Sequence, residues 1–104
     1  MKTRDIKTID VQAKEWFDKV NGNHYFSAII SINYGLKNSI TLELPFQYGG
    51  GDHYRDEAFK VIKKELNTFR ASKENDSYRK VYEQNKIIAR YYKQENCLKR
   101  ELSK

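Results

Sequence analysis

The chain has little cysteine, little proline and no long apolar run, and each shortage narrows what the protein can be. A single cysteine, Cys97, excludes an internal disulfide and favours a reducing compartment. One proline and five glycines in 104 residues argue against long disordered linkers. No apolar run approaches the ~18 residues of a membrane span, and the opening MKTRDIKTID lacks the apolar core of a signal peptide. These features predict a cytoplasmic protein without a membrane partner.

Positive charge is concentrated towards the C-terminal end of the sequence, within a net charge of +6. Residues 77–104 hold eight Lys or Arg against three Asp or Glu, which gives +5. Residues 1–51 carry only +1, and residues 52–76 balance to zero. This asymmetry predicts a basic arm attached to a neutral body.

Three segments alternate between apolar and polar residues, as half-buried strands do. They cover residues 8–17, 24–34 and 39–48, and turn sequences containing Asn-Gly and GLKN separate them. Short connections of this kind predict an antiparallel meander, with one face free to bury against a helix. In the third strand, the alternation places Phe46 on the same apolar face as Leu44.

Three glycines, residues 49–51, separate the third strand from a helical pattern. Apolar residues then recur at helical spacing from Tyr54 to Phe69, with Asp52 as the expected N-cap. A phosphate-binding loop would need a following Lys with Ser or Thr, or a parallel β-α-β unit, and neither is predicted here. Asp52 and Asp56 would also repel an anion at this helix start. We therefore interpret the glycines as a strand-to-helix corner that needs unusual dihedral angles.

Residues 77–104 are predicted to form one long amphipathic helix after a linker at residues 70–76. Its apolar stripe would pack on the sheet or join a second copy as a homodimer. Nearly opposite lies a cationic stripe with one aromatic residue among its members: Arg79, Tyr82, Lys86, Arg90, Lys93, Arg100 and Lys104. A row of cations with few acids between them is typical of a surface that binds a nucleic-acid backbone. The alternative is a solvated outer face.

Aromatic residues on or near the predicted sheet form a second candidate surface. Its members are Trp16, His24, Tyr25 and Tyr34. Rings on an open sheet stack on bases in RNA-binding proteins. The same residues are equally typical of a core or of a protein interface.

One spacing would suit a metal-dependent enzyme. His53, Asp56 and Glu57 occupy positions i, i+3 and i+4 of the first helix, which would place three metal-binding side chains on one face. Acids in a first helical turn are also ordinary partners of the helix dipole. No Ser-His-Asp or Cys-His arrangement can be assembled from the chain. We therefore expect no enzyme, no bound metal and no cofactor, and a small metal-dependent nuclease is kept as an alternative.

Two stretches resemble a family of small uncharacterised proteins from phages and other mobile elements. They are KEWFDKVNGNHYFSA at residues 14–28 and PFQYGGGDHY at residues 45–54. The shared pattern is roughly W-F-x-K-x-x-G-N-x-Y-x-S, then a strand, then Y-G-x-G-x-x-Y before a helix. The matching positions are Trp16, Phe17, Lys19, Gly22, Asn23, Tyr25, Ser27, Tyr48, Gly49, Gly51 and Tyr54. The family brings no assigned chemistry, but a phage origin implies a protein that binds a host machine, as anti-CRISPR inhibitors do.

Together these patterns predict an α+β fold made of a three-stranded antiparallel β-meander with one packed helix (residues 1–69), a linker (70–76) and a long basic C-terminal helix (77–104). The predicted function is non-enzymatic binding of RNA, or of a ribonucleoprotein such as a Cas effector with its guide RNA. Such binding would inhibit host defence in the cytoplasm of a bacterial host cell. The alternatives are a DNA-binding phage regulator, a purely protein-binding module and the nuclease.

Overall fold

A four-stranded sheet organises the protein in the computed structural model, which describes residues 1–69 and 77–102. The strands lie side by side in the order β3-β2-β1-β4. The pairs β1–β2 and β2–β3 are antiparallel, whereas β4 runs parallel to β1, so the sheet is mixed. The strands are β1 (Thr8–Asp18), β2 (Asn23–Ile32), β3 (Ile40–Tyr48) and β4 (Ile88–Gln94).

Helices pack on both faces of this sheet. They are α1 (His53–Glu65), α2 (Tyr78–Gln84) and α3 (Lys99–Leu102), and a 3₁₀ turn at Thr3–Asp5 precedes β1. The first two share one layer, where the rings of Phe59 and Tyr82 lie 5.6 Å apart. On the opposite face, α3 places the Lys99 ammonium 5.4 Å from the ring centre of Trp16. Among the residues described, no helix is long and apolar enough to cross a membrane.

The core lies between the sheet and α1, and it follows the alternation read from the sequence. Inward-facing apolar side chains of β1 and β2 alternate with outward-facing ones that are mostly polar, as a half-buried strand requires. The buried apolar residues of the sheet are Ile9, Val11, Ala13, Phe26, Ala28, Ile30, Ile32 and Leu44. The helices add Tyr54, Ala58, Phe59 and Ile62 from α1 and Tyr78, Val81 and Tyr82 from α2.

The predicted fold class is wrong in its C-terminal part. One basic helix was expected over residues 77–104, but the chain there forms α2, β4 and α3. The helix stops at Gln84 because the chain turns at Lys86, whose φ is +56°. The following run IIARYY is rich in β-branched and aromatic residues, which favour a strand. The meander therefore gains a fourth, parallel strand; the predicted linker at residues 70–76 lies outside the described residues.

The predicted orientation of Phe46 is also wrong, because β3 contains a bulge. Leu44 pairs with Ala28, but Gln47 pairs with Phe26, so β3 holds one more residue than β2 over this stretch. The neighbouring Pro45 has no backbone N–H to donate, which suits a bulge. The extra residue turns Phe46 to the face away from α1.

The glycine run forms a crowded corner between β3 and α1. Gly49 has a φ of +150°, and a Cβ there would lie 2.5 Å from His53 Cδ2 and 2.9 Å from Phe26 Cε1. Only glycine fits so close an approach. Asp52 stands at the N-cap position of α1 but makes no capping hydrogen bond, and its carboxylate lies 3.6 Å from Arg55 Nε instead.

Candidate nucleic-acid interface

The cations that were expected to share one helical stripe lie on separate elements. Since residues 77–104 do not form one helix, the prediction that these side chains share a face is wrong. Lys104 lies outside the described residues. The remaining residues are Arg79 and Tyr82 on α2, Lys86 in the turn after it, Arg90 and Lys93 on β4, and Arg100 on α3.

Both β4 cations are engaged with acids of β1. Arg90 binds Asp10 in a bidentate manner, with Nε–Oδ1 at 2.6 Å and Nη2–Oδ2 at 3.0 Å. This hydrogen bonding raises the pKa of Arg90 above its ordinary value. Lys93 Nζ donates to buried Glu15 Oε2 at 3.1 Å and to the carbonyl of Gly51 at 3.0 Å. Lys93 is therefore not free to neutralise a phosphate, and the charge of the 61% exposed Arg90 is offset by Asp10.

The aromatic member of the predicted stripe, Tyr82, is buried. Its ring contacts Phe59, Phe69 and Tyr78 at centroid distances of 5.6, 5.8 and 6.0 Å. Burial is the main reason why the pKa of the Tyr82 hydroxyl lies above its ordinary value. This residue fixes α2 to the core and is not available for base stacking.

The aromatic side chains on the outer face of the sheet stack on one another. Trp16 stacks on Tyr25 at 5.5 Å between ring centres, and Tyr25 stacks on Phe46 at 5.1 Å. The ammonium of Lys99 lies over Trp16. Because the faces of these rings are already occupied, Trp16, Tyr25 and Phe46 form a poor surface for stacking bases.

The other two predicted surface aromatics, His24 and Tyr34, lie at opposite ends of the sheet. The His24 ring lies 4.6 Å from that of Phe17, and its Nε2 is 3.9 Å from Glu15 Oε1. Tyr34 occupies the loop between β2 and β3, and its side chain is 74% exposed. The structure therefore separates this ring from the other predicted aromatics.

The spacing that suggested a metal site does not produce one. His53 Nε2 lies 3.4 Å from Glu57 Oε1, one turn further along α1. Within residues 1–69 and 77–102, no group of three or more His, Cys, Asp or Glu side chains is placed to hold a metal ion.

A groove of about 480 Å³ crosses the sheet face that α3 partly covers. Phe46, Tyr92 and Leu102 supply much of its apolar wall. Its charged lining residues are one cation, Lys14, and two acids, Glu43 and Glu101. Such a mixture does not favour a polyanion.

A cationic surface does form at the end of the sheet where β1 and β4 begin and β2 ends. Seven Lys or Arg come to this end against three acids, a net charge of +4. The chain has 20 Lys or Arg and 14 Asp or Glu, of which the structure describes 17 and 12. The described residues therefore carry a net charge of +5, and this end holds +4 of it. We call it the basic end; it comprises Lys2, Arg4, Lys7, Lys37, Lys63, Lys64 and Lys86 with the acids Asp5, Glu65 and Glu83.

The parallel pairing of β4 with β1 brings two of these cations together. The backbone N–H of Ile88 donates to the carbonyl of Lys7 at 3.1 Å. Lys86, two residues before Ile88, is thereby placed beside the segment that leads into β1. These lysines are 79 residues apart in sequence, so no local motif could have indicated their proximity.

A buried asparagine attaches the β2–β3 loop to the same end. Asn33 Oδ1 accepts from the backbone N–H of Lys7 at 2.7 Å and of Thr8 at 3.2 Å. Asn33 Nδ2 donates to the carbonyl of Asp5 at 2.8 Å. The loop that follows, which carries Tyr34 and Lys37, is therefore fixed beside the N-terminal cations.

No family model, no curated protein and no solved structure matches the chain. The resemblance to small phage and mobile-element proteins therefore stays a prediction. A functional proposal has to rest on the geometry and charge of the basic end.

Proposed function

We propose that this chain is a binding protein, without catalytic activity, that contacts RNA or a ribonucleoprotein through its basic end. The observation that carries the proposal is the excess of cations over acids there. Lys7, Lys37 and Lys86 are exposed, and none of the three forms an ion pair with another described residue. Each phosphate that such a cation neutralises releases a condensed counterion, which favours binding.

The spacing of these lysines also suits a nucleic-acid backbone. Lys37 lies in the β2–β3 loop, Lys7 directly precedes β1, and Lys86 precedes β4 by two residues. The three lysines therefore extend across the sheet. Four strands at ~4.8 Å spacing span roughly 14 Å. At ~3.4 Å of helix axis per phosphate of one strand, this width corresponds to about four nucleotides of a helical strand, and to fewer where the strand is extended.

The proposal is tested by fluorescence anisotropy with labelled single-stranded RNA, hairpin RNA and duplex DNA, each at low and near-physiological salt. The triple variant Lys7→Glu, Lys37→Glu, Lys86→Glu should bind about 100-fold more weakly or not at all, because three attractive contacts become repulsive. Circular dichroism of this variant should match the wild type, since all three side chains are exposed.

A matched variant separates the position of the charge from its amount. Lys14→Glu, Lys19→Glu, Arg100→Glu changes the net charge equally, but at exposed cations outside the basic end. This variant should lose only the small affinity that net charge supplies. Equal losses in both variants would contradict a role for the basic end, and wild-type protein that binds none of the nucleic acids would remove the proposal.

Charge reversal of Lys86, Arg90 and Lys93 together would be a poor test of binding. Lys93 is the partner of the buried Glu15, so a loss of function in that variant would also follow from a disrupted sheet. Of these three, Lys86 alone belongs to the basic end.

The finer expectations stay predictions: a phage origin, action in the host cytoplasm, and inhibition of host defence by contact with a guide-RNA complex. Preference for duplex DNA in the same titrations would favour a DNA-binding regulator. Binding to no nucleic acid would move the search to an acidic protein partner.

A further inference from the structure

We infer that Tyr34 stacks on an unpaired base, so that the ligand of the basic end is single-stranded or looped nucleic acid and not uniform duplex. This inference rests on the proposed function, since it names the ligand class of the same surface. Three observations support it: the exposed ring without a stacking partner, the attachment of its loop to the start of β1, and the cations in the adjoining segments.

The ring of Tyr34 is available in a way that the sheet aromatics are not. It is 74% exposed, and it has no ring stacking or cation–π contact with another described residue. The backbone that follows it is uncrowded as well, since a Cβ placed on Gly35 would meet nothing within 4 Å outside its chain neighbours. A base could therefore approach without displacing a neighbour.

The loop that carries this ring is held in place before any ligand binds. Asn33 is fully buried, adopts a left-handed φ of +54°, and anchors the loop to the start of β1. Leu36 N–H donates to the carbonyl of Asn33 at 2.9 Å, and Ser39 N–H donates to that of Leu36 at 3.2 Å. A preformed loop loses little conformational entropy on binding.

Two cations belong to the backbone segments that adjoin Tyr34. Lys37 follows it in the same loop, and the backbone N–H of Lys7 donates to the side chain of Asn33, the residue before Tyr34. A base in a single strand is flanked by phosphates on both sides. Aromatic stacking beside cations is the arrangement that sequence-tolerant single-strand binding uses, because every base has a π face.

The test compares Tyr34→Ala and Tyr34→Phe on single-stranded RNA, on DNA of the same sequence, and on fully paired duplex. Tyr34→Ala should weaken single-strand binding by about 10-fold or more and change duplex binding by less than about 2-fold. Tyr34→Phe should bind like the wild type, because it keeps the ring. An oligonucleotide with one 2-aminopurine should show fluorescence quenching on wild-type binding, and Tyr34→Ala should lose that quenching.

A matched control is Tyr92→Ala, which removes a ring that is 63% exposed on the other side of the sheet from α1. It should leave both affinity and quenching unchanged. If Tyr34→Ala binds like the wild type while the Lys7, Lys37, Lys86 triple variant fails to bind, base stacking is wrong and the proposed function stands. Equal weakening on duplex and single strand would also overturn the inference. Wild-type protein that binds no nucleic acid would overturn the proposed function itself.

Discussion

At the scale of single residues, an uncharged side chain organises the basic end. Asn33 satisfies two backbone N–H groups and one carbonyl at the start of β1. Asn33→Ala should lower the free energy of unfolding by about 2–4 kcal/mol, because it leaves these buried groups unpaired and strains a residue with positive φ. Urea denaturation followed by circular dichroism measures this loss.

Two further variants separate the causes. Asn33→Gly tolerates positive φ but still lacks the hydrogen bonds, so it should remain destabilised. Asn38→Ala, at an exposed position of the same loop, should change stability by less than about 0.5 kcal/mol. A variant Asn33→Gly as stable as the wild type would show that the hydrogen bonds contribute little.

The ion pair between Lys93 and Glu15 gives a second prediction at this scale. Their side chains are only 16% and 9% exposed. Lys93→Met should destabilise the fold by about 3 kcal/mol, because it leaves a buried carboxylate without its partner. The double variant Glu15→Gln, Lys93→Met should lose less than the sum of the two single changes. Additive losses in this double-mutant cycle would contradict a direct coupling.

At the scale of elements, local periodicity predicted the strands and the helix that carry their own burial pattern, and it missed the strand that depends on long-range pairing. β1, β2, β3 and α1 carry their own patterns of burial, so the β-β-β-α order could be derived from the sequence. β4 could not, because its few apolar residues suit one face of a helix as well as a short strand. Its parallel pairing with β1 joins residues 80 positions apart, such as Asp10 and Arg90. The bulge that reorients Phe46 likewise depends on pairing with β2.

The register of β4 is tested by an engineered disulfide. In a Cys97→Ser background, Asp10→Cys and Arg90→Cys place two thiols at directly paired positions of β1 and β4. They should oxidise readily, increase gel mobility without reductant, and raise the melting temperature by closing a long loop. The control pair Lys14→Cys, Arg90→Cys is displaced by four residues, roughly 13 Å along the strand. Equal oxidation of both pairs would contradict the assigned register.

At the scale of the whole molecule, folding redistributes the positive charge that the sequence concentrates in residues 77–104. β4 brings Arg90 and Lys93 to acids of β1, so this part of the supposed basic arm is neutralised. The same strand carries Lys86 to the N-terminal cations, and the net charge moves to one end of the sheet. Sequence analysis selected Lys86 and Tyr34 but could not place them at the same end of the sheet, since that placement depends on strand order. A count of charges along the sequence does not show which cations form ion pairs with acids in the folded protein.

The salt dependence of binding tests this redistribution directly. For single-stranded ligands the slope of log K against log salt is about −0.7 per neutralised phosphate. Lys86→Gln should therefore make the slope shallower by about 0.7, if this lysine meets one phosphate. Lys19→Gln, at an exposed lysine in the β1–β2 turn at the other end of the sheet, should leave the slope unchanged. Titrations at five salt concentrations measure both slopes. An equal change in the two variants would mean that diffuse net charge attracts the ligand. A change confined to Lys86→Gln requires a phosphate at the basic end.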